Sequence, residues 1–226
     1  MSLALLAPLT TVTLKADTLA LYTFETSQPA TAGPFSPETG SGSALSYHSG
    51  ATFPTTTYSS PAGNGSAHSF SANGWSVGDY YQFEVGTLGY SGITISFDQT
   101  SSNTGPRDYE VQYSTDGSSF TDYAAYSVLA NASPNPAWNA TTSSSIYTST
   151  YDLSSVTGLN NQASVYFRLV DVDTVSANAG TVASAGTDRV DNFAITATAV
   201  PEPGTLSFAL LGGLALFGLS MRRMRS

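Results

Sequence analysis

Short runs in which apolar and polar residues alternate fill most of the chain. Alternation with a period of two places successive side chains on opposite faces of a β-strand. In the run at 164–172, Val165 and Phe167 share one face and Arg168 lies on the other. Nine such runs occur, at 19–25, 66–72, 79–85, 92–100, 107–115, 120–126, 146–153, 164–172 and 188–198. This pattern predicts strands, and no helical period competes with it between residues 17 and 200.

The predicted strands are short and are separated by residues that favour turns. Asp116-Gly117 lies between two of them and indicates a hairpin, because glycine readily adopts positive φ. Ser, Thr, Gly and Pro dominate 26–65 and 131–145, which we interpret as long loops. We therefore expect residues 17–199 to form one all-β domain, an antiparallel β-sandwich of the jelly-roll kind.

The distribution of charge excludes one class of function. Between residues 17 and 200 there are three arginines, no lysine and fifteen acids, so this body carries a formal net charge of −12. Nucleic-acid binding depends on clustered lysine and arginine, so we do not expect a nucleic-acid partner. The chain also contains no cysteine, which excludes disulfides and thiolate chemistry.

The N-terminus resembles the second half of a secretory signal peptide. An apolar run, LALLAPL, is followed by small residues up to Ala16. No positive charge precedes the run, so the true start is expected upstream, with residues 1–16 as a truncated signal. The alternative is a buried strand at the edge of the domain.

The C-terminus has the composition of a membrane-spanning helix. Residues 205–221 are uncharged and contain three glycines, and a span needs about 17–25 such residues. Arg222, Arg223 and Arg225 follow, and basic residues remain on the cytoplasmic side, which places the body outside. The alternative, a buried C-terminal helix, is disfavoured because the run has no polar face.

Pro201, Glu202 and Pro203 precede that apolar run. The triplet, the apolar run and the terminal arginines together resemble the PEP-CTERM sorting signal of Gram-negative bacteria, over residues 200–226. This resemblance implies an exported protein that is held in the inner membrane, then processed near the triplet by an exosortase. It also implies a host that builds exopolysaccharide or biofilm. A second, looser resemblance links the body to other proteins that carry this signal, through the segments 109–123, 151–170 and 189–204.

Little in the sequence points to catalysis. His48 and His68 are the only histidines. A pair of carboxylates can hydrolyse a glycosidic bond, and five acids lie on or beside predicted strands. They are Asp79, Glu84, Asp98, Glu110 and Asp171. Isolated acids are common on strands, so we expect no enzyme activity, with a glycoside hydrolase as a remote alternative.

A structural Ca²⁺ site is a further expectation. Glu25 ends the first predicted strand, and Asp188 and Asp191 open the last. If these strands are neighbours, the three acids can converge, and Ca²⁺ takes oxygen ligands of this type. Asp171 and Asp173 form a weaker candidate pair. The alternative is that all these acids are ordinary surface groups.

Aromatic residues indicate a possible glycan-binding platform. Trp75, Tyr80 and Tyr81 lie close together, and Trp138 lies in a predicted loop. Exposed rings can stack on sugar faces, but Tyr and Trp are also common in strands and sandwich cores. The sequence thus favours a non-enzymatic surface or matrix protein, with a module that binds extracellular polysaccharide as the alternative.

Overall fold

The computed structural model of the protein describes residues 15–201. The predicted segments at 1–16 and 200–226, including the helix at 205–221, lie outside these residues except at their inner ends. Within the described part, the chain forms twelve strands and two single-turn 3-10 helices. The strands are β1 (Ala16–Tyr22), β2 (Thr39–Gly40), β3 (Ser43–Tyr47), β4 (Tyr58–Ser59), β5 (Phe70–Asn73), β6 (Tyr80–Val85), β7 (Tyr90–Ser101), β8 (Asp108–Ser114), β9 (Thr121–Ser127), β10 (Thr148–Asp152), β11 (Val165–Asp171) and β12 (Thr187–Ala199). The 3-10 turns are Ser145–Tyr147 and Thr157–Leu159.

The strands form two antiparallel sheets. In the seven-stranded sheet, β10, β7, β12, β1 and β2 follow one another, β5 pairs with β12, and β4 pairs with β5. The five-stranded sheet has the order β3–β6–β11–β8–β9. Every strand pair is antiparallel, and the first strand lies beside the last. The fold is therefore the antiparallel β-sandwich that the alternation predicts.

Alternate residues of both sheets fill the space between them. Phe83 of β6 and Phe193 of β12 stack in parallel with ring centroids 3.5 Å apart, and Phe97 of β7 stacks on Phe193 at 5.7 Å. All three rings are buried. Each buried aromatic side chain of this size contributes about 1.5–3 kcal/mol of hydrophobic stabilisation, so this contact between the sheets is a major part of the core.

All nine predicted strands are present, although their ends differ by a few residues. The prediction is wrong for 26–65, where β2, β3 and β4 lie in a segment interpreted as loop. β2 and β4 have two residues each, too few for a periodic pattern to be recognised. The second predicted loop, 131–145, contains no strand.

Among residues 15–201, no helix is long and apolar enough to cross a membrane.

Candidate functional site

The structure buries three of the four aromatic residues predicted as a glycan platform. Trp75, Tyr81 and Trp138 are 1%, 0% and 7% exposed. Each tryptophan donates its indole N–H to a backbone carbonyl, as expected for a ring with one polar atom inside a fold. Tyr80 alone reaches the surface, because adjacent residues of a strand point to opposite faces.

Tyr80 belongs to a different aromatic group, on the outer face of the five-stranded sheet. Its ring stacks on Tyr47, with centroids 5.1 Å apart, and Tyr47 is 49% exposed. On the other side, the guanidinium carbon of Arg168 lies 3.8 Å from the Tyr80 ring centroid. The same carbon lies 3.5 Å from the ring centroid of Phe120, the residue before β9. We call these four residues the outer aromatic row.

The outer aromatic row follows from the strand register. Tyr47 lies opposite Tyr80 in the β3–β6 pair, and Arg168 lies opposite Gln82, two residues along β6. Side chains two residues apart on one strand share a face, so all three meet on the outside. The alternation did predict the outward direction of Arg168. It did not reveal Phe120, which reaches the row from the turn between β8 and β9.

The three acids predicted to bind Ca²⁺ are not brought together. Asp188 and Asp191 are an odd number of residues apart on β12, which sends their side chains to opposite faces. Asp188 is hydrogen-bonded to Gln99 and Ser101, whereas Asp191 accepts hydrogen bonds from Asn64 and Ser66. The Glu25 carboxylate accepts from the backbone of His68. Within residues 15–201, no group of three or more acids and histidines is placed to hold a metal ion.

Asp188 is fully buried, and its surroundings favour the protonated form. Ser101 Oγ lies 2.8 Å from Asp188 Oδ2 and 2.6 Å from the Pro106 carbonyl oxygen. The hydroxyl has one hydrogen and can donate it to only one of these two oxygens. A proton on Asp188 satisfies all three groups, because Asp188 then donates to Ser101 and Ser101 donates to Pro106. Burial raises the pKa of Asp188 to about 7.

Two further carboxyl groups are affected in the same direction. Burial raises the pKa of Asp171 to about 8 and that of Asp191 to about 6. Asp171 is 1% exposed, and its Oδ1 accepts one long hydrogen bond, 3.4 Å, from the backbone of Asp173. With so little hydrogen bonding to the charged form, a neutral carboxyl is the favoured state.

A Ser-His-Asp arrangement that the sequence did not reveal occurs beside the core. His48 Nδ1 lies 3.2 Å from Asp79 Oδ2, and His48 Nε2 lies 3.1 Å from Ser46 Oγ. The order of atoms is that of a catalytic triad. However, Ser46 is 3% exposed and the side chains of His48 and Asp79 are 3% and 0% exposed, so a substrate carbonyl cannot reach Ser46 Oγ in this conformation.

The Asp79 carboxylate instead connects two loops. It accepts hydrogen bonds from the backbone N–H groups of Ser49 and Ser76, both at 2.7 Å. Burial opposes the ionisation of Asp79, but the hydrogen bonds from His48, Ser49 and Ser76 outweigh this effect and lower its pKa. The group therefore remains ionised and holds the 48–52 segment against the turn before β6.

Two of the five acids considered for a glycoside hydrolase are neighbours: the Asp171 N–H donates to the Asp79 carbonyl oxygen at 2.9 Å, and both side chains are buried. Glu84 and Glu110 lie on the outer face of the five-stranded sheet, and Asp79 and Asp171 are buried in the positions described above. Asp98, on β7, accepts hydrogen bonds from Asn192 and Thr148. The structure does not show two of these carboxylates facing each other across a cleft.

Comparison with known proteins identifies the C-terminal segment. Residues 199–225 match the PEP-CTERM protein-sorting motif. The resemblance seen in the sequence is thus confirmed, and the motif implies an exported protein that is anchored at the membrane before an exosortase processes it. No curated protein matches the chain significantly.

Several solved structures are similar to the described body. The K3 cleaved adhesin domain of Lys-gingipain from Porphyromonas gingivalis w83 is 16% identical, with 79% of this chain and 98% of that chain covered and a TM-score of 0.47. The CBM22-1–GH10 modules of Clostridium thermocellum xylanase 10B, complexed with xylohexaose, are 14% identical, with 80% and 28% covered and a TM-score of 0.44. Likeness at this level says nothing about what this chain binds.

Proposed function

We propose that the protein is a non-enzymatic component of the cell surface or extracellular matrix, released by an exosortase in a bacterium that produces exopolysaccharide. The sorting motif at 199–225 carries the proposal. β12 ends at Ala199, where the motif begins, and the last hydrogen bond of the body joins Val200 N–H to the Gly89 carbonyl. Cleavage at 201–203 would therefore leave every described strand on the released part.

The proposed absence of catalysis is supported by the burial of the Ser-His-Asp arrangement described above and by the burial of the neighbouring acids Asp79 and Asp171. Polar side chains in this body are used to join loops and strands. The product we propose is thus a stable module that is delivered to the exterior, and its role depends on what its surface contacts.

Processing is tested by replacing Glu202 with Ala in the native host. We expect the wild-type protein to appear in the extracellular fraction with a C-terminus near residue 202. The variant should remain membrane-associated and uncleaved, like the wild type in a strain that lacks the exosortase. The readout is mass spectrometry of the C-terminal peptide in each fraction. The matched control is Glu25→Ala, an acid-to-alanine change far from the motif in sequence.

An intact C-terminus in the extracellular protein would contradict processing. A protein that stays in the membrane with or without the enzyme would be a simple tail-anchored surface protein.

A second candidate function is binding of extracellular polysaccharide. The outer aromatic row favours it, because Tyr47 presents an exposed ring whose position is fixed by stacking on Tyr80. Flat, rigid rings of this kind can stack on the apolar faces of sugars, and they lose little conformational entropy on binding. The row replaces the predicted platform, with which it shares only Tyr80.

Tyr47→Ala is expected to weaken retention of the protein on the host's own immobilised exopolysaccharide. The loss of one stacking contact corresponds to about a threefold to tenfold lower affinity. Leu88→Ala is the control, since Leu88 is 62% exposed in the turn between β6 and β7, away from the row. Equal retention of both variants and the wild type would exclude the row as the binding surface.

A further inference from the structure

Arg168 is the centre of the outer aromatic row, and its guanidinium group is held in a fixed plane. Its central carbon lies 3.8 Å from the Tyr80 ring centroid and 3.5 Å from that of Phe120, so a ring covers each face. Such cation–π contacts restrain the side chain. Only the edge of the guanidinium, which carries its N–H groups, is left to make further contacts.

One side of that edge is already used. Arg168 Nε donates a hydrogen bond of 2.8 Å to the side-chain oxygen of Gln82, which lies directly opposite on β6. Within residues 15–201, neither terminal nitrogen of Arg168 has a hydrogen-bond or ion-pair partner; the arginine that forms an ion pair there is Arg107, with Asp108. The Nε contact therefore fixes the direction of two free donor groups.

Among the residues that the structure describes, no carboxylate lies within ion-pair distance of Arg168. Burial lowers the pKa of Arg168, and the neighbouring Tyr80 partly opposes this by raising the pKa. The acids on the same face have other contacts. Glu84 accepts hydrogen bonds from Ser43 and Ser164, and Glu110 has a pKa raised by burial and then by the charge of Asp122.

Arg168 is a half-buried cation without an ion pair, in a body with fifteen acids and three arginines. Removing a charge from water is unfavourable unless an opposite charge or hydrogen bonds compensate for it. Of the other two arginines of the body, Arg107 makes a bidentate contact with Asp108, whereas Arg189 forms no ion pair within residues 15–201. The two terminal nitrogens of Arg168 therefore remain available, as far as residues 15–201 are concerned, to bind an anionic group.

We propose that Arg168 binds the carboxylate of a uronic acid unit in an acidic extracellular polysaccharide. The planar guanidinium matches a carboxylate with two parallel hydrogen bonds, and here its position is set before the ligand arrives. The exposed ring of Tyr47, one ring further along the row, is placed to stack on an adjacent sugar unit. This inference rests on the second candidate function and specifies its ligand.

The net charge of the body opposes a polyanion at a distance. This repulsion is screened beyond about 8 Å at physiological ionic strength, whereas the direct contact at Arg168 is screened much less. We therefore expect binding to be weak in very dilute buffer and to improve as salt approaches physiological concentration.

The test measures binding of the full-length protein in detergent to polygalacturonate and to fully methyl-esterified polygalacturonate, by calorimetry. Esterification removes the negative charge and leaves the sugar backbone unchanged. We expect the acid form to bind at least about tenfold more tightly, as one charge-assisted bidentate contact implies. This comparison uses the wild-type protein and does not depend on the folding of a variant.

Arg168→Lys keeps the charge but removes the planar fork, and it should lose most of this preference. Arg107→Lys is the matched control, because the same change is made at an arginine that already has a carboxylate partner.

Equal binding of the acid and ester forms, or an unchanged preference in Arg168→Lys, would overturn the assignment. So would polyglutamate binding as tightly as polygalacturonate, which would point to a protein ligand. Binding of neutral polysaccharide alone would refute this inference and leave the second candidate standing; no binding to any polysaccharide would refute both.

Discussion

Asp79→Asn is expected to lower the free energy of unfolding by about 3 kcal/mol, because it damages a buried group with several partners. The Asp79 carboxylate accepts hydrogen bonds from the backbone N–H groups of Ser49 and Ser76 and lies beside the His48 ring. An asparagine has one side-chain oxygen, so its amide nitrogen must face one of these N–H donors. One buried donor then loses its acceptor, and the 48–52 segment loses its attachment.

Urea unfolding of the purified protein measures this effect, and a drop in melting temperature of roughly 10 °C should accompany it. Asp17→Asn is the control, since Asp17 is exposed on β1 and the same charge is removed. A difference of less than about 0.5 kcal/mol between the two variants would show that Asp79 does not connect the loops as described.

Alternation was sufficient to predict the sandwich because both sheets bury one face. In β11, the buried and half-buried positions follow the period of two from Val165 to Leu169. The pattern failed at β2 and β4, where two residues give no period. β3 alternates, but Ser43, Ala44 and Ser46 are small and weakly hydrophobic, so its pattern did not stand out from the polar segment around it.

The site was harder to predict because it depends on contacts between distant strands. Tyr80 and Tyr81 are the same residue type, so only their consecutive positions on β6, which point to opposite faces of the sheet, decide which of them is buried. The same parity argument, applied to Asp188 and Asp191, would have excluded a shared metal ion from the sequence alone. In contrast, the approach of Phe120 to Arg168 depends on how the turn after β8 folds back, which local periodicity does not report.

The free energy of unfolding is expected to fall as the pH rises from about 5 to 8. Carboxylates paired with cations have lowered pKa values and act in the opposite direction, because they stabilise the fold more as the pH rises. The pKa values of Asp171, Asp188 and Asp191 are raised to about 8, 7 and 6, and an unfolded aspartate has a pKa of about 3.9. Between these limits the folded state holds protons that the unfolded chain has released. Their stabilising contribution is complete below about pH 4 and is lost as the pH passes the folded-state values.

The acids with lowered pKa values affect stability in a different pH range. Hydrogen bonds lower the pKa of Asp79 and Glu38 in spite of burial, so their contribution is lost only as the pH falls below about 4. Stability should therefore be greatest near pH 4. Between pH 5 and pH 8 the three raised pKa values cover about six units in all, so urea unfolding at the two pH values should differ by several kcal/mol, on the order of 8 kcal/mol at about 1.4 kcal/mol per unit.

Asp188→Asn separates this proton effect from a general effect of pH on the fold. The asparagine amide can donate to Ser101, as the protonated carboxyl does, and its oxygen can accept from Gln99. The variant should match the wild type at pH 5 and be more stable than the wild type at pH 8, because it has no proton to lose. If the substitution destabilises the protein equally at both pH values, the folded state must contain an ionised Asp188 throughout. In that state the Ser101 hydroxyl donates to Asp188 and not to the Pro106 carbonyl.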